Sequence, residues 1–123
     1  MTTPDELVAV ELARLSASFV DQLAEQVQVV EDEMKSWLDA PRDVERFEIL
    51  SHKVHQLKGS GSTFGCPGIS RAARALEQRL GMLRRGIDAG VLPAPGDVES
   101  AMTQLQNEAR RARTQSRDSE ASP

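Results

Sequence analysis

Apolar residues recur along the chain at spacings of three and four, and glycine and proline interrupt the pattern at only a few places. From Asp5 to Ala40 neither breaker occurs, and Leu7, Val10, Leu15, Phe19, Leu23, Val27, Val30, Met34 and Trp37 or Leu38 form a stripe. That spacing predicts one long amphipathic helix, or two nearly end to end with Ser16 and Ser18 as the break. Pro41 stops it, and Asp43 is placed to start the next helix, which carries Phe47, Leu50, Val54 and Leu57. The pattern then fails across Gly59-Ser60-Gly61-Ser62-Thr63-Phe64-Gly65-Cys66-Pro67-Gly68, a run rich in breakers, with Pro67 suited to the first turn of a new helix. A third helix is expected on Ile69, Ala72, Leu76, Leu80 and Leu83, with the small Ala73 and Ala75 allowing close approach of a neighbour. Gly86 and the stretch from Gly90 to Gly96, with Pro93 and Pro95, end it. A fourth follows on Val98, Met102, Leu105, Ala109 and Ala112, and beyond Thr114 a polar, frayed tail is expected.

Four amphipathic segments with short connections and no strand signal predict an all-α fold, an antiparallel up-and-down four-helix bundle. The expected organisation is an N-terminal helical extension over residues 1–16, the bundle over 17–113 and a polar tail over 114–123. The size agrees, since 123 residues suit one domain. Only 3% of residues are aromatic, so the core must come from aliphatic side chains and alanine. A net charge of −4 speaks against general nucleic-acid binding, which needs a basic surface. The lone Cys66 rules out an internal disulfide and fits a reducing compartment. No secretory leader and no apolar run of membrane-spanning length are apparent, and the reading is a soluble cytoplasmic protein without membrane association. Charge is uneven, however. Residues 1–40 carry nine acids and two bases, whereas residues 41–90 carry nine bases and five acids. The middle hairpin is thus either an ordinary solvated face or a docking face for an acidic partner.

Candidate chemistry centres on the second helix. At 100° per residue, His55 falls on the flank of the core stripe and His52 points almost directly away from it. The two could hold a metal only with a third ligand, and none is near in sequence. Lys58 is a surface neighbour of His55, a cation positioned to stabilise an anion carried on the imidazole. Gly59 and Gly61 each cost a helix about 1 kcal/mol relative to Ala. They are either a fraying end or positions where missing side chains let another protein's backbone approach His55. The glycine run matches neither a dinucleotide fingerprint nor a Walker loop, and no strand precedes it. If the hairpin pivots at Cys66, His55 lies eleven residues before the pivot and Glu77 eleven after, each directly following a core residue. Glu77 should then sit beside the imidazole, hold its Nδ1 proton and leave Nε2 as the nucleophile. The alternative is a surface Glu77 paired with an arginine such as Arg74.

His55-Gln56-Leu57-Lys58-Gly59-Ser60, with Phe64-Gly65 and Leu76-Glu77, resembles the signature of histidine-containing phosphotransfer (HPt) domains. The Gly-Ser-Thr-Phe-Gly run is also similar to the phosphoacceptor domain of chemotaxis histidine kinases. The resemblance spans roughly residues 17–113 and is specific over about 51–80. It implies a bundle whose exposed His exchanges a phosphoryl group with an aspartate of a response-regulator receiver domain. It further implies His55 as phosphoacceptor, Lys58 as neighbouring cation, Glu77 as imidazole partner and Gly59 as the close-approach position. The expected docking face comprises His52, Gly59, Ser62, Ala73 and Arg74. The expected partners are a receiver and a hybrid or other histidine kinase; the chain needs no cofactor of its own, with Mg²⁺ on the receiver, and is expected to be a monomeric carrier rather than an enzyme. Gln56 and Cys66-Pro67 depart from the usual pattern, which bears on partner choice. The chain reads as too short to include kinase catalytic or dimerisation domains, and a stand-alone carrier is expected. A module that docks without phosphotransfer, and a detached kinase phosphoacceptor domain, are the rival readings.

Overall fold

The computed structural model describes residues 3–91 and 96–121, with side chains placed except at 97 and 116–121. Four helices follow in order: α1 (Pro4–Asp39), α2 (Val44–Thr63), α3 (Pro67–Asp88) and α4 (Gly96–Ala121). Each packs on its neighbours in the chain and α4 closes back on α1, which is the cyclic arrangement of an up-and-down bundle. No helix among the described residues is long and apolar enough to cross a membrane.

Local chemistry explains the boundaries. At the start of α1 the Thr3 hydroxyl accepts from the Glu6 amide, and Glu6 returns a bond to the Thr3 amide, a reciprocal cap ahead of Pro4. The helix then runs unbroken through Ser16 and Ser18, so the single-helix reading holds. Asp43 caps α2 through the Arg46 amide. The C-terminal ends of α2 and α3 are both set by glycine. The Cys66 amide donates to Gly61 O at 2.7 Å across Gly65 at φ +74°, and the Val91 amide donates to Gly86 O at 2.8 Å across Gly90 at φ +84°. Both are six-residue closures in which only glycine accepts the left-handed step without strain.

The core is aliphatic, as the composition requires, and gathers around Leu23, Val30, Leu50, Val54, Ile69, Leu76, Leu80 and Leu105, all almost fully buried. Trp37 fills one end, its ring 5.1 Å from Phe47, and Arg84 lies 4.4 Å over the outer face of Phe47. At the other end Phe19 meets Phe64, the residue that closes α2, at 5.3 Å.

The structure corrects the sequence reading in five places. First, α2 does not fail at Gly59 but continues through Gly61 to Thr63. Gly61 is buried, and a Cβ there would lie 2.9 Å from Ser70 N and 3.1 Å from Cys66 O. The missing side chain therefore admits this chain's own α3, not a partner's backbone. Second, α3 passes through Gly86 to Asp88, because that glycine is the acceptor of the closing turn rather than the breaker. Third, Ala73 is fully buried, on the core side of α3. Fourth, Leu7, Val10 and Leu15 are 59%, 67% and 43% exposed, since α1 outruns the bundle that covers its later turns. Fifth, α4 continues past Thr114 to Ala121. Of the expected Gly90–Gly96 loop, residues 92–95 with Pro93 and Pro95 lie outside the described residues.

The α3 N-terminus has no acidic residue in its first turn and no side-chain cap. The Glu108 carboxylate of α4 lies over Gly68, where any Cβ would collide with it. A carboxylate there is favourable against the positive end of the α3 dipole.

The two glycines of α2 should therefore answer oppositely to substitution. Gly61→Ala forces backbone movement and should cost about 1–3 kcal/mol of stability, as overpacking does. Gly59→Ala, with nothing within 4 Å, should gain up to about 1 kcal/mol of helix propensity. Urea unfolding of the two variants measures the difference, and equal effects would contradict the close approach.

Candidate functional site

Val54 and Leu76 are both wholly buried, and the residue after each emerges on the groove between α2 and α3. Those residues are His55 and Glu77. The His55 side chain is 66% exposed, and its Nδ1 lies 3.0 Å from Glu77 Oε2. Lys58, one turn further along α2, donates from Nζ to Glu77 Oε1 at 2.8 Å. One carboxylate thus bridges the imidazole and the ammonium, with each oxygen serving one partner.

This geometry selects a tautomer. An ionised carboxylate only accepts hydrogen bonds, so Nδ1 must carry the proton and donate. Nε2 is then the nitrogen with the free lone pair, on a ring that is largely exposed and held at Nδ1. Partial burial works to raise the pKa of Glu77. The hydrogen bonds from Lys58 and His55, together with the charges of those groups, outweigh it and hold the carboxyl below its ordinary value. Lys58 therefore reaches the site differently from the sequence expectation: its ammonium engages the carboxylate that orients the ring.

The remaining candidates divide by position. Gly59 follows His55 by four residues on the same helix face and is exposed, with open space where a side chain would be. Ser62 is exposed and shares a 2.8 Å hydrogen bond with Ser70, which ties α2 to α3 below the site. Arg74 is exposed, but Glu77 makes its contacts with His55 and Lys58, not with an arginine of its own helix. Ala73 cannot touch a partner, being buried. His52 is exposed and lies with His55, Glu77, Phe47 and Arg84 around a shallow hollow of about 340 Å³. No group of three or more metal-binding side chains occurs among the described residues.

One feature escaped the sequence reading. A groove of about 910 Å³ runs between α1 and α2 on the other side of His55, lined by Gln22, Gln26, Val29, Gln56, Gly59 and Thr63. Gln22 and Gln26 are four apart beside the core stripe, a signal available in the sequence that only the packing of α1 on α2 converts into a groove. His55 stands on the ridge between this groove and the smaller hollow.

The Hpt domain family model matches residues 14–115 of the chain, which covers all four helices and the His55 site. The chain belongs to the Hpt domain family, a family of phosphocarrier modules that serve histidine phosphotransfer in two-component signalling. No curated protein and no solved structure matches the chain.

The bridge should be visible in acid stability. Because the folded-state pKa of Glu77 is lowered, its contribution is fully present above the ordinary carboxylate value of 4.5 and is lost as pH falls through the lower folded value. Wild type should exceed Glu77→Gln in stability most at neutral pH, and the gap should narrow below 4.5. Urea unfolding of both across that range checks the sign, and a gap independent of pH would contradict the ionised bridge.

Proposed function

We propose that His55 is the phosphoacceptor and that the protein carries a phosphoryl group between its Nε2 and the aspartate of a response-regulator receiver domain, loaded or unloaded with a hybrid or other histidine kinase at the far end of the relay. The observation that carries this reading is the exposed imidazole held at Nδ1 by Glu77, with Lys58 bracing the same carboxylate. In the forward step the Nε2 lone pair attacks the phosphorus of an aspartyl phosphate in line. The N–P bond forms as the P–O bond to the aspartate breaks, and the electron pair leaves on the aspartate carboxylate. The ring becomes positive, and its Nδ1 proton stays in the hydrogen bond to Glu77, whose charge offsets that of the imidazolium. The reverse step returns the phosphoryl group by the same path.

Charge on the transferred group needs cations, and those are proposed to come from the receiver's Mg²⁺ rather than from this chain. The surface around His55 suits such docking. Gly59 leaves space one turn away, the α1–α2 groove offers an apolar floor at Val30 and Leu57 with amide groups at Gln22, Gln26 and Gln56, and the basic middle hairpin would steer an acidic receiver. His52 and Arg74 are assigned to the rim of that footprint and Ser62 to its lower edge.

Transfer from phosphorylated receivers of the same source tests the proposal. His55→Gln should abolish labelling and His52→Gln should keep it. A labelled His55→Gln protein would overturn the assignment, and the absence of transfer from every receiver would favour a docking module that moves no phosphate. Gly59→Gln should slow transfer while the protein remains folded. Glu77→Ala should slow it by up to about a hundredfold to ten-thousandfold, the range of positioned acid-base groups, with Glu77→Gln losing less. Rapid-quench measurements read both, and equal rates for all three residues at position 77 would remove Glu77 from the mechanism.

A further inference from the structure

Among the described residues, α1 and α4 alone extend beyond the α2–α3 turn. Ala13, Ser16 and Ala17 of α1 line the same hollow as Pro67 at the turn and Arg111 and Gln115 of α4. From that level α1 still runs back to Pro4 and α4 on to Ala121, so the α1 arm reaches on the order of 15 Å past the turn at the rise of an α-helix. None of the described α1 residues before Phe19 is buried. Between Leu7 and Leu15, however, only Glu11 and Arg14 are polar, and these two pair with each other. Apolar side chains surround the rest of the helix, and Leu7, Val8, Val10, Leu12 and Leu15 are 43–67% exposed. A helix apolar on nearly every side is normally enclosed by others. Among the described residues its single neighbour is α4.

Charge identifies what encloses it. The α1 arm carries Asp5 and Glu6 at its tip. The α4 helix carries Arg110, Arg111 and Arg113, all exposed, at the base of the arms, of which Arg111 lies 3.5 Å from Glu108 of its own helix. Within one chain the two sets are separated by roughly ten residues of helix, about 15 Å, which exceeds the screening length of about 8 Å in physiological salt. Two copies related by a two-fold axis across the arms would overlap head to tail. The acidic tip of each would then reach the arginines at the base of the other, while Val8, Leu12 and Leu15 of the two α1 arms meet in the middle. The acids at the tip disfavour an anionic membrane surface as the occupant.

We propose that the chain forms a homodimer through its α1 arms, packed antiparallel across the two-fold axis. This departs from the monomer expected from the sequence. His55 lies eight residues before the end of α2, in the body of the molecule rather than on the arms, so pairing leaves both imidazoles open.

Sedimentation equilibrium of the full chain between about 1 and 200 μM should show a reversible dimer. The Val8→Glu, Leu12→Glu double variant should weaken it at least about tenfold, with helix content by circular dichroism unchanged. Glu6→Arg should also weaken it, and combining Glu6→Arg with Arg111→Glu should restore it. A monomer throughout the range, or a dimer indifferent to the apolar variant, overturns the proposal. A dimer weakened by the apolar variant but not restored by the charge exchange overturns the head-to-tail arrangement.

Discussion

The contact of α2 with the start of α3 at Gly61 fixes the register on which the site depends. A side chain there would press on Ser70 N and Cys66 O, so only glycine lets the two helices close to this distance. Gly61 also supplies the carbonyl that closes the turn onto the Cys66 amide. With three residues between the helices, that one anchor sets the height of every α3 side chain against α2. His55 lies six residues before it on α2, and Glu77 faces it from α3 at hydrogen-bond distance. A glycine that costs helix propensity locally is thus offset by packing, and the packing produces the chemistry.

The site separates exposure from orientation. In the role proposed for it the His55 imidazole must meet a second protein and cannot be buried, yet an exposed imidazole left to itself rotates and exchanges tautomers. Here the backbone of α2 fixes the root of His55, Glu77 fixes one ring nitrogen, and Lys58 fixes Glu77. Glu77 is itself only partly exposed, so the bridge works in surroundings less screened than the ring's outer edge. The order matters: the cation holds the anion, and the anion holds the ring.

The bundle and the His55–Glu77 pairing were legible in the sequence because both follow from counting. Periodicity gives the buried stripe, a short turn gives the pivot, and equal counts from the pivot give facing flanks. What periodicity cannot state is the identity of the neighbour on each face. Ala73 reads alike as a small surface residue or a small core residue, and only the closeness of α2 and α3 decides for the core. Leu7, Val10 and Leu15 have the same spacing as Val27 and Val30 but no bundle beside them. Gly59 and Gly86 look like breakers until the helices that hold them in place are known. Lys58 was identified, but its contact was not, since a flexible chain of four methylenes can reach either the ring or the carboxylate.

The central claim, that Glu77 holds His55 as the Nδ1-protonated tautomer with Nε2 free, is read most directly by nitrogen NMR of the histidine rings above the pH at which they are protonated. In the wild type the His55 ring should show a protonated-type Nδ1 and an unprotonated Nε2, while Glu77→Ala should shift toward the Nε2-protonated form common for free imidazoles. A wild-type His55 already protonated at Nε2, or a spectrum unchanged by Glu77→Ala, would contradict the account.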